Sequence, residues 1–399
     1  MGEFIRASRI YCEDGMKEGV LKLENGRFAG IYSEIPKGSK SIDYSNYSII
    51  PGIFDTHNHG AMGYSVKKRK TKDHTEEIRG YLKALPAHGV TMVFPTVMDD
   101  FGYESIAQVA EEKLQGAIVA GIHSEGPFLN RVGEKGRPKP YPKISLDKVK
   151  DMIGKSGGKL RLFALAPEIQ DSQKIIQYLT KHNITVAIAH SNCNGMMTRK
   201  AIEDGISVAT HLGNVMTGIH HRDIGVLGVC LLDDRIDCEL ICDGFHICND
   251  MLQIILKLKD PSRIMMISDG TPFSGAPIGR YAGESEGSVL NVERDGRILD
   301  EDGKISGSSK TVLDGIRNLV ENLHIPLEEV LPMASLNPCR KYGFENIKGS
   351  IALGKDADFV VIDEGFEVVA TYIMGEKVYS AEQKSELFNP DFIELNKLL

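Results

Sequence analysis

The feature that most constrains the fold is a repeated unit, in which a short apolar run of strand length is followed by a stretch with helical periodicity. Alternation of this kind is typical of parallel βα units. Eight candidate strands occur in the central part of the chain: Ile49–Phe54, Thr91–Thr96, Ile118–Ile122, Leu160–Ala166, Thr185–Ala189, Ser207–Ala209, Asp237–Ile241 and Ile264–Ile267. Eight consecutive units predict an α/β fold, a (β/α)₈ TIM-like barrel, whose active site lies at the carboxyl ends of the strands.

The two ends of the chain have a different pattern. Short β-like runs joined by tight turns occur near the amino terminus, at Gly19–Leu23, and again at Ala357–Ile362 and Val368–Met374. A chain of 399 residues also exceeds the roughly 250–300 residues at which a single core stops growing. We therefore expect a small β-sandwich domain built from residues 1–48 and 346–399, around a barrel of residues 49–345.

Polar side chains follow six of the eight candidate strands. They are His57 and His59 after the first strand, Glu125 after the third, His190 after the fifth, His211 after the sixth, His246 after the seventh and Asp269 after the eighth. A doubly wound open sheet would give no reason for six strands to end in this way. Imidazoles and carboxylates are the usual ligands of Zn²⁺ and Fe²⁺, so the pattern predicts a divalent metal centre.

Each of these residues also has a simpler interpretation. The pair His57 and His59 is weak evidence by itself, and a single histidine such as His190 at the end of an apolar run is more often a core residue. Asp269, before Gly270, is equally suited to cap a helix. The coincidence of all these residues with Glu125 favours a metal centre, with Asp269 as a general base beside it.

Composition narrows the class of partner. The net charge is -8 and the chain has no long basic run, so nucleic acid and anionic membranes are not expected as partners, and a small-molecule substrate is. Seven cysteines without a Cys-x-x-Cys pair argue against a disulfide framework. No segment approaches the roughly 18 apolar residues of a membrane span, and residues 1–11 contain no 7–15-residue apolar run of the kind expected of a secretory leader. We expect a cytoplasmic enzyme.

Longer ordered motifs surround the polar residues: Pro51–Gly60, His123–Phe128, Ala209–Met216, Asp243–His246, His220–Gly225, Gly307–Thr311, Met333–Pro338 and Gly349–Asp358. Together they resemble the motifs of N-acetylglucosamine-6-phosphate deacetylases, which belong to the amidohydrolase superfamily. The resemblance covers nearly the whole chain. It is far more specific than any one histidine.

The resemblance implies a metal held chiefly by Glu125, His190 and His211. His57 and His59 would complete a second site with Glu125 as the bridge, so one or two divalent ions are expected, Zn or Fe first and Mn or Co as alternatives. A metal lowers the pKa of bound water from 15.7 to around 7. The resemblance also implies that Asp269 takes the proton of that water and hands it to the departing amine.

The resemblance further implies a site for a phosphorylated N-acetyl amino sugar. Its residues would be Asn214, His221, Arg222 and His246. The planar guanidinium of Arg222 suits phosphate, because it can donate two parallel hydrogen bonds. In the family this arginine reaches into the neighbouring subunit's site, so a homodimer is expected. Without the motif, Arg222 would be interpreted as a solvated loop charge.

The chain departs from the family at one position of consequence. Many members have a histidine that polarises the substrate carbonyl where this chain has Pro138, after Gly136 and Arg137. A carbonyl-polarising donor is often worth ~3 kcal/mol in the transition state. The sequence therefore leaves alternatives open: another N-acyl amino sugar, a cyclic amide or nucleobase, or a sensor without turnover. Retention of all five ligand-type residues and Asp269 argues against the sensor. A Rossmann dehydrogenase is excluded, since no Gly-x-Gly-x-x-Gly follows a strand.

Overall fold

The computed structural model describes residues 3–67, 73–98, 102–132, 135–136, 143–282, 289–392 and 397–398. Eight parallel strands follow one another around a barrel in chain order. They are Ile53–Asn58, Val90–Val97, Ile122–Glu125, Leu160–Leu165, Thr185–Ile188, Ile206–Ala209, Asp237–Ile241 and Ile264–Ile267. The first and last strands approach each other where Asp269 N donates to His57 O at 3.0 Å and His59 N donates to Gly270 O at 2.7 Å. The predicted barrel is confirmed.

Two of the predicted strands were placed wrongly. The run Ile49–Phe54 straddles two elements: Ile49 and Ile50 pair with the strand Phe359–Ile362 outside the barrel, and the first barrel strand begins at Ile53. Gly52 separates them, at a point where a Cβ atom would lie 2.3 Å from Thr91 Oγ1. The run Ile118–Ile122 also splits, since Ile118–Val119 is a short side strand and the third barrel strand is Ile122–Glu125. His57 and Glu125 therefore lie within barrel strands.

Helices cover the outside of the barrel. Several begin at a side-chain cap: Asp73, Ser145 and Asn194 accept from main-chain amides, and Thr311 with Asp314 forms a capping box. The helices are His74–Ala84, Tyr103–Val109, Leu146–Lys155, Ser172–Lys181, Gly195–Asp204, Gly225–Leu232, Asn249–Leu258, Val312–Glu321, Leu327–Ala334, Leu336–Tyr342 and Lys384–Leu387, with 3₁₀ turns at Leu85–His88, Pro261–Arg263 and Ala381–Gln383. None of the helices among the described residues is long and apolar enough to cross a membrane.

Both chain ends meet in a separate sheet, as predicted. Its seven strands lie in the order Glu376–Ser380, Val368–Ile373, Phe359–Ile362, Ser41–Pro51, Glu3–Cys12, Gly15–Glu24 and Arg27–Tyr32. This terminal sheet has its own apolar core, in which the rings of Phe359 and Tyr372 stack with centroids 4.4 Å apart. It contacts the barrel layer through the turn Leu85–His88, where Thr371 Oγ1 donates to Pro86 O at 2.6 Å.

A third sheet was not predicted. It follows the eighth barrel strand and has the order Ile305–Ser308, Arg297–Leu299, Val289–Val292, Gly279–Ala282 and Lys397–Leu398. Phe273, Tyr281 and Phe392 belong to its core. Short hairpins also occur at Gly60–Ala61 with Tyr64–Ser65 and at Arg131–Val132 with Lys135–Gly136. The chain end thereby packs beside the loops that follow the first and last barrel strands.

Candidate metal centre and active site

Glu125 lies between two pairs of histidines at the carboxyl ends of the barrel strands. Its Oε1 atom is 2.9 Å from His190 Nε2 and 3.0 Å from His211 Nε2. Its Oε2 atom is 3.2 Å from His59 Nε2 and 3.6 Å from His57 Nε2. The structure therefore brings together the five side chains that were predicted from the sequence to be metal ligands, although they come from four different strands.

Asp269 joins the same cluster. Its Oδ1 atom lies 3.3 Å from His57 Nε2 and 3.4 Å from His59 Nε2. Two groups of three potential ligands result, which we name the Glu125 group (Glu125, His190 and His211) and the first-strand group (His57, His59 and Asp269). The sequence motifs indicate only a proton-transfer role for Asp269, and its ligand-range contact with both first-strand histidines is apparent only in the structure.

The donor atoms of both groups fit divalent cations. His57 Nε2 and His59 Nε2 are 3.0 Å apart, and His190 Nε2 and His211 Nε2 are 3.3 Å apart. Imidazole nitrogens and carboxylate oxygens at these separations can direct their lone pairs at a shared cation. Such a set of ligands suits Zn²⁺ or Fe²⁺.

Main-chain carbonyl groups orient two of the rings. His59 Nδ1 lies 3.1 Å from Thr96 O, and His190 Nδ1 lies 3.0 Å from Arg131 O. Because a carbonyl oxygen accepts only from a protonated nitrogen, each contact places the proton on Nδ1 and leaves the Nε2 lone pair free for a cation.

The strand ends at this centre are conformationally strained. His190, His211 and Asp269 have φ values of 48°, 32° and 48°, in the left-handed region that residues other than glycine rarely adopt. Each such residue costs of order 1–3 kcal/mol. Hydrogen bonds to His190 O from the amides of Asn130 and Arg131 hold one of these turns. The turns direct the side chains into the mouth of the barrel.

The charges of the cluster depend on one another. Burial alone would lower the pKa of His59, but Asp269 and Glu125 raise it to about 9. Burial would raise the pKa of Glu125, yet His57 and its other histidine neighbours hold it well below its usual range. The pKa of Asp269 is lowered mainly by His57, again against the effect of burial. Without a cation, protons on the histidines balance the carboxylates.

Asp55 connects the first and eighth strands beneath Asp269. Its carboxylate accepts from Ser268 Oγ at 2.5 Å, Ser268 N at 3.2 Å and Asn58 Nδ2 at 3.0 Å. Burial raises the pKa of Asp55, although these donors oppose the shift. Asp55 was not among the residues predicted for the site, and the only sequence signal for it is its position two residues before His57.

His246 and Asn214 border the centre. His246 Nδ1 donates to Asp243 Oδ2 at 2.8 Å, and the other oxygen of Asp243 accepts from the amides of Phe245 and His246. Asn214 Nδ2 donates to His211 O at 3.3 Å. Both side chains are half-buried, so they can line the entrance to the metal centre.

Comparison with known proteins agrees with this geometry. Residues 48–378 match the model of the Amidohydrolase family. The chain is 32% identical to N-acetylglucosamine-6-phosphate deacetylase of Rattus norvegicus, with 84% of each chain covered. It is 30% identical to N-acetylgalactosamine-6-phosphate deacetylase of Escherichia coli O157:H7, with 94% of this chain and 99% of that one covered.

A solved structure of N-acetylglucosamine-6-phosphate deacetylase from Pasteurella multocida superposes with a TM-score of 0.82 at 25% identity, covering 94% of this chain and 99% of that one. The chain belongs to the N-acetylglucosamine-6-phosphate deacetylase family. Its barrel, its terminal sheet and its amidohydrolase motifs are thus accounted for together.

The loop that carries His221 and Arg222 stands apart from the cluster in this deacetylase-family chain. His221 and Arg222 are exposed on the loop after the sixth strand, where Asp223 Oδ1 accepts from the amides of Gly195 and Gly225. Among the described residues, no hydrogen bond or ion pair links Arg222 to the metal centre. Arg137 and Pro138, where the sequence departs from the family, lie outside the described residues.

Proposed function

We propose that this chain is a metal-dependent hydrolase that removes the acetyl group from N-acetylglucosamine 6-phosphate, giving glucosamine 6-phosphate and acetate. The observation that carries this proposal is the position of Glu125 between two histidine pairs, with Asp269 in contact with one of them. Membership of the deacetylase family supplies the reaction class, hydrolysis of a carbon–nitrogen bond.

Glu125, His190 and His211 would hold one divalent ion, and His57 and His59 would hold a second with Glu125 shared between them. Zinc and iron suit these ligands best, and manganese or cobalt are alternatives. When bound, such an ion supplies Lewis acidity toward water and the substrate carbonyl.

Asp269 is the proton carrier in this proposal. Its pKa is held low, so it is ionised and can accept a proton from the attacking water. It then donates that proton to the nitrogen that leaves as the free amine, which is the acid–base sequence available to one positioned carboxyl group. Its contacts with His57 and His59 keep the carboxylate directed at the reacting atoms.

The sugar phosphate is proposed to contact Asn214, His221, Arg222 and His246. Because Arg222 is exposed and separate from its own centre, we assign it to the site of a neighbouring subunit in a homodimer. Exposed apolar side chains beside this loop support a subunit contact there: Ile219 is 52% exposed and Met196 is 76% exposed. The seven cysteines are free, which accords with the proposed cytoplasmic location.

An acetate-release assay tests the proposal. Protein reconstituted with zinc or iron is offered N-acetylglucosamine 6-phosphate, its galactosamine epimer and unphosphorylated N-acetylglucosamine, with Asp269→Asn as the inactive control. We expect kcat/KM to be highest for the glucosamine 6-phosphate. Preference for the epimer would correct the sugar, and preference for the unphosphorylated substrate would remove the sugar-phosphate assignment.

A further inference from the structure

A second cluster of buried polar side chains lies directly beneath the metal centre. We name it the inner group: His57, His123 and Glu239, from the first, third and seventh barrel strands. One ligand-type atom from each residue lies within 4.8 Å of the others, and all three side chains are buried. His57 thus belongs both to the first-strand group above and to the inner group below.

Three atoms of the inner group have no hydrogen-bond partner although they are buried: His57 Nδ1, His123 Nε2 and Glu239 Oε2. Leaving such atoms unpaired is costly in a protein interior. The two atoms His57 Nδ1 and Glu239 Oε2 face each other at 3.7 Å. The second oxygen of Glu239 is already occupied, since Thr56 Oγ1 donates to Oε1 at 2.7 Å. Oε2 is therefore the oxygen that remains for His57.

The chemistry of imidazole decides what this cluster can do. A neutral ring carries one lone pair and one N–H, so His57 can offer a lone pair from only one nitrogen. Its Nε2 atom faces Asp269 and Glu125 at 3.3 and 3.6 Å, where a cation fits. The proton must then be on Nδ1, directed at Glu239. A further cation in the inner group would compete for the same ring.

We propose that Glu239 is a positioning residue that accepts a hydrogen bond from the Nδ1–H of His57 and thereby sets the affinity of the first-strand group for its metal. The proposal rests on the metal centre of the proposed function and adds a residue that has no role in it. A carboxylate behind a ligating histidine fixes the tautomer and the orientation of the ring and makes the opposite nitrogen a better donor.

Loss of Glu239 should affect only one of the two metal-binding groups, because the Nδ1 atoms of the histidines have different neighbours. His59 and His190 use main-chain carbonyls, those of Thr96 and Arg131. His57 instead depends on a side chain. Loss of Glu239 should weaken the first-strand group. The Glu125 group should be unchanged, because among the described residues the ion-pair partner of His190 and His211 is Glu125 and that of Glu239 is His57.

Zinc binding to the wild type and to Glu239→Gln tests this inference. Stepwise affinities are obtained by competition with a chelator, and the number of ions per chain by elemental analysis. Glu239→Gln keeps the side-chain shape but weakens the acceptor, so we expect about 10- to 100-fold weaker binding in the first-strand step only. In the zinc-loaded wild type, ¹⁵N-histidine NMR should show one ligating histidine whose Nδ1 proton signal moves in Glu239→Gln.

Two further variants separate positioning from folding. Asp237→Asn, on the same strand, breaks the buried ion pair with Lys341 at 2.7 Å and should lower the melting temperature without changing either zinc affinity. Thr56→Val frees one oxygen of Glu239 without removing its charge, and should give a smaller loss in the same step as Glu239→Gln. It serves as the test if Glu239→Gln does not fold.

The outcomes are distinguishable. Absence of any bound divalent ion in the wild type would refute the proposed function. Equal affinities in the wild type and Glu239→Gln, with two ions in each, would refute the inference alone. It would also fail if the wild type bound a single ion through the Glu125 group, or if a third ion were lost in Glu239→Gln.

Discussion

Two histidines of this molecule, the half-buried His59 and the buried His88, have opposite electrostatic environments. His59, at the mouth of the barrel, has its pKa raised to about 9 by Asp269 and Glu125, although burial opposes the shift. His88, in the turn that contacts the terminal sheet, has its pKa lowered to about 4, mainly by burial. Burial alone therefore suppresses the charge of a histidine, and carboxylates aimed at the ring reverse the effect.

The same contrast holds for the surrounding regions. At the mouth, left-handed residues and mutually dependent charges are held by the rest of the barrel. In the terminal sheet, stacked aromatic rings fill an apolar core. We infer that the mouth serves cation binding and that the terminal sheet serves stability. Changes at the mouth should therefore affect catalysis more than changes beside the terminal sheet.

Removal of the metal should have the largest effect. A chelator is expected to abolish acetate release, and one to two divalent ions per chain should be found in active protein by elemental analysis. His190→Asn or His211→Asn should remove the tighter ion, whereas His57→Asn or His59→Asn should mainly lower occupancy of the second. Full activity in metal-free protein, or equal losses from all four variants, would contradict the two-group arrangement.

Asp269→Asn should have the next largest effect on catalysis. With metal at saturation, kcat should fall by at least ~10²-fold, because the amide cannot take the proton of water and pass it to the amine. The Glu125 group should still bind its ion, which elemental analysis of the variant measures. The first-strand group should bind more weakly, since Asp269 Oδ1 lies within 3.4 Å of both of its histidines. Near-normal turnover would reduce Asp269 to a structural role.

The barrel and most of the candidate metal centre could be predicted from the sequence. The strand–helix alternation predicts the barrel, and residues such as His190 at the ends of apolar runs predict the cluster, because parallel strands bring their carboxyl ends together. The family motifs add Glu125 as a shared group. Distances between residues far apart in sequence are not encoded in this pattern, so the contact of Asp269 with the first-strand histidines was missed.

Other features carried too little local signal. In the sequence, Glu239 is simply a polar residue within a buried strand. Its position behind His57 arises only when the barrel closes and brings the first and seventh strands near each other. The strand Ile49–Phe54 was misplaced because an apolar run does not show where Gly52 transfers the chain from one sheet to another. One strand of the third sheet, Lys397–Leu398, was missed because it pairs with Gly279–Ala282 across more than a hundred residues. The other four strands pair with their neighbours in sequence, but each is only three or four residues long and shows little periodicity.

Replacing Arg222 should affect binding more than turnover. For the phosphorylated sugar, Arg222→Ala is expected to raise KM by about 10- to 100-fold, as loss of a hydrogen bond to a charged group predicts, with little change in kcat. Arg222→Lys should not restore KM, because lysine lacks the planar pair of donors. Arg235→Ala is a matched control, since Arg235 is exposed and paired with Asp233 at 2.6 Å.

If Arg222 serves the site of the neighbouring subunit, each active site in the dimer contains residues from both subunits. In mixed dimers of Arg222→Ala and Asp269→Asn, half of the sites in a heterodimer should combine an intact Asp269 with an intact partner arginine. Mixing should then restore turnover at low substrate concentration, because Arg222→Ala alone has a raised KM and Asp269→Asn alone has a lowered kcat. An unchanged KM in Arg222→Ala, or no recovery on mixing, would show that this loop does not serve the neighbouring site.

His88 gives the smallest effect on catalysis. His88→Gln should leave kcat at neutral pH unchanged, because the residue lies away from the metal centre, but should alter how stability depends on pH. In the folded chain the pKa of His88 is about 4, against an ordinary value of 6.5. Between these values the unfolded chain binds a proton that the folded chain excludes. The wild type should therefore lose stability as pH falls from 6.5 to 4, by up to about 3 kcal/mol.

Urea unfolding of metal-free wild type and His88→Gln at several pH values measures this contribution. The charges of Asp314 and Glu367 act on His88 less strongly than burial does, and both carboxylates titrate in both proteins, so the difference between the two curves isolates the histidine. We expect the unfolding free energy of the wild type minus that of His88→Gln to be constant above pH 6.5 and to fall by up to about 3 kcal/mol as pH falls to 4. Parallel curves throughout would mean that the folded chain admits the proton, and that burial does not distinguish His88 from the histidines of the mouth.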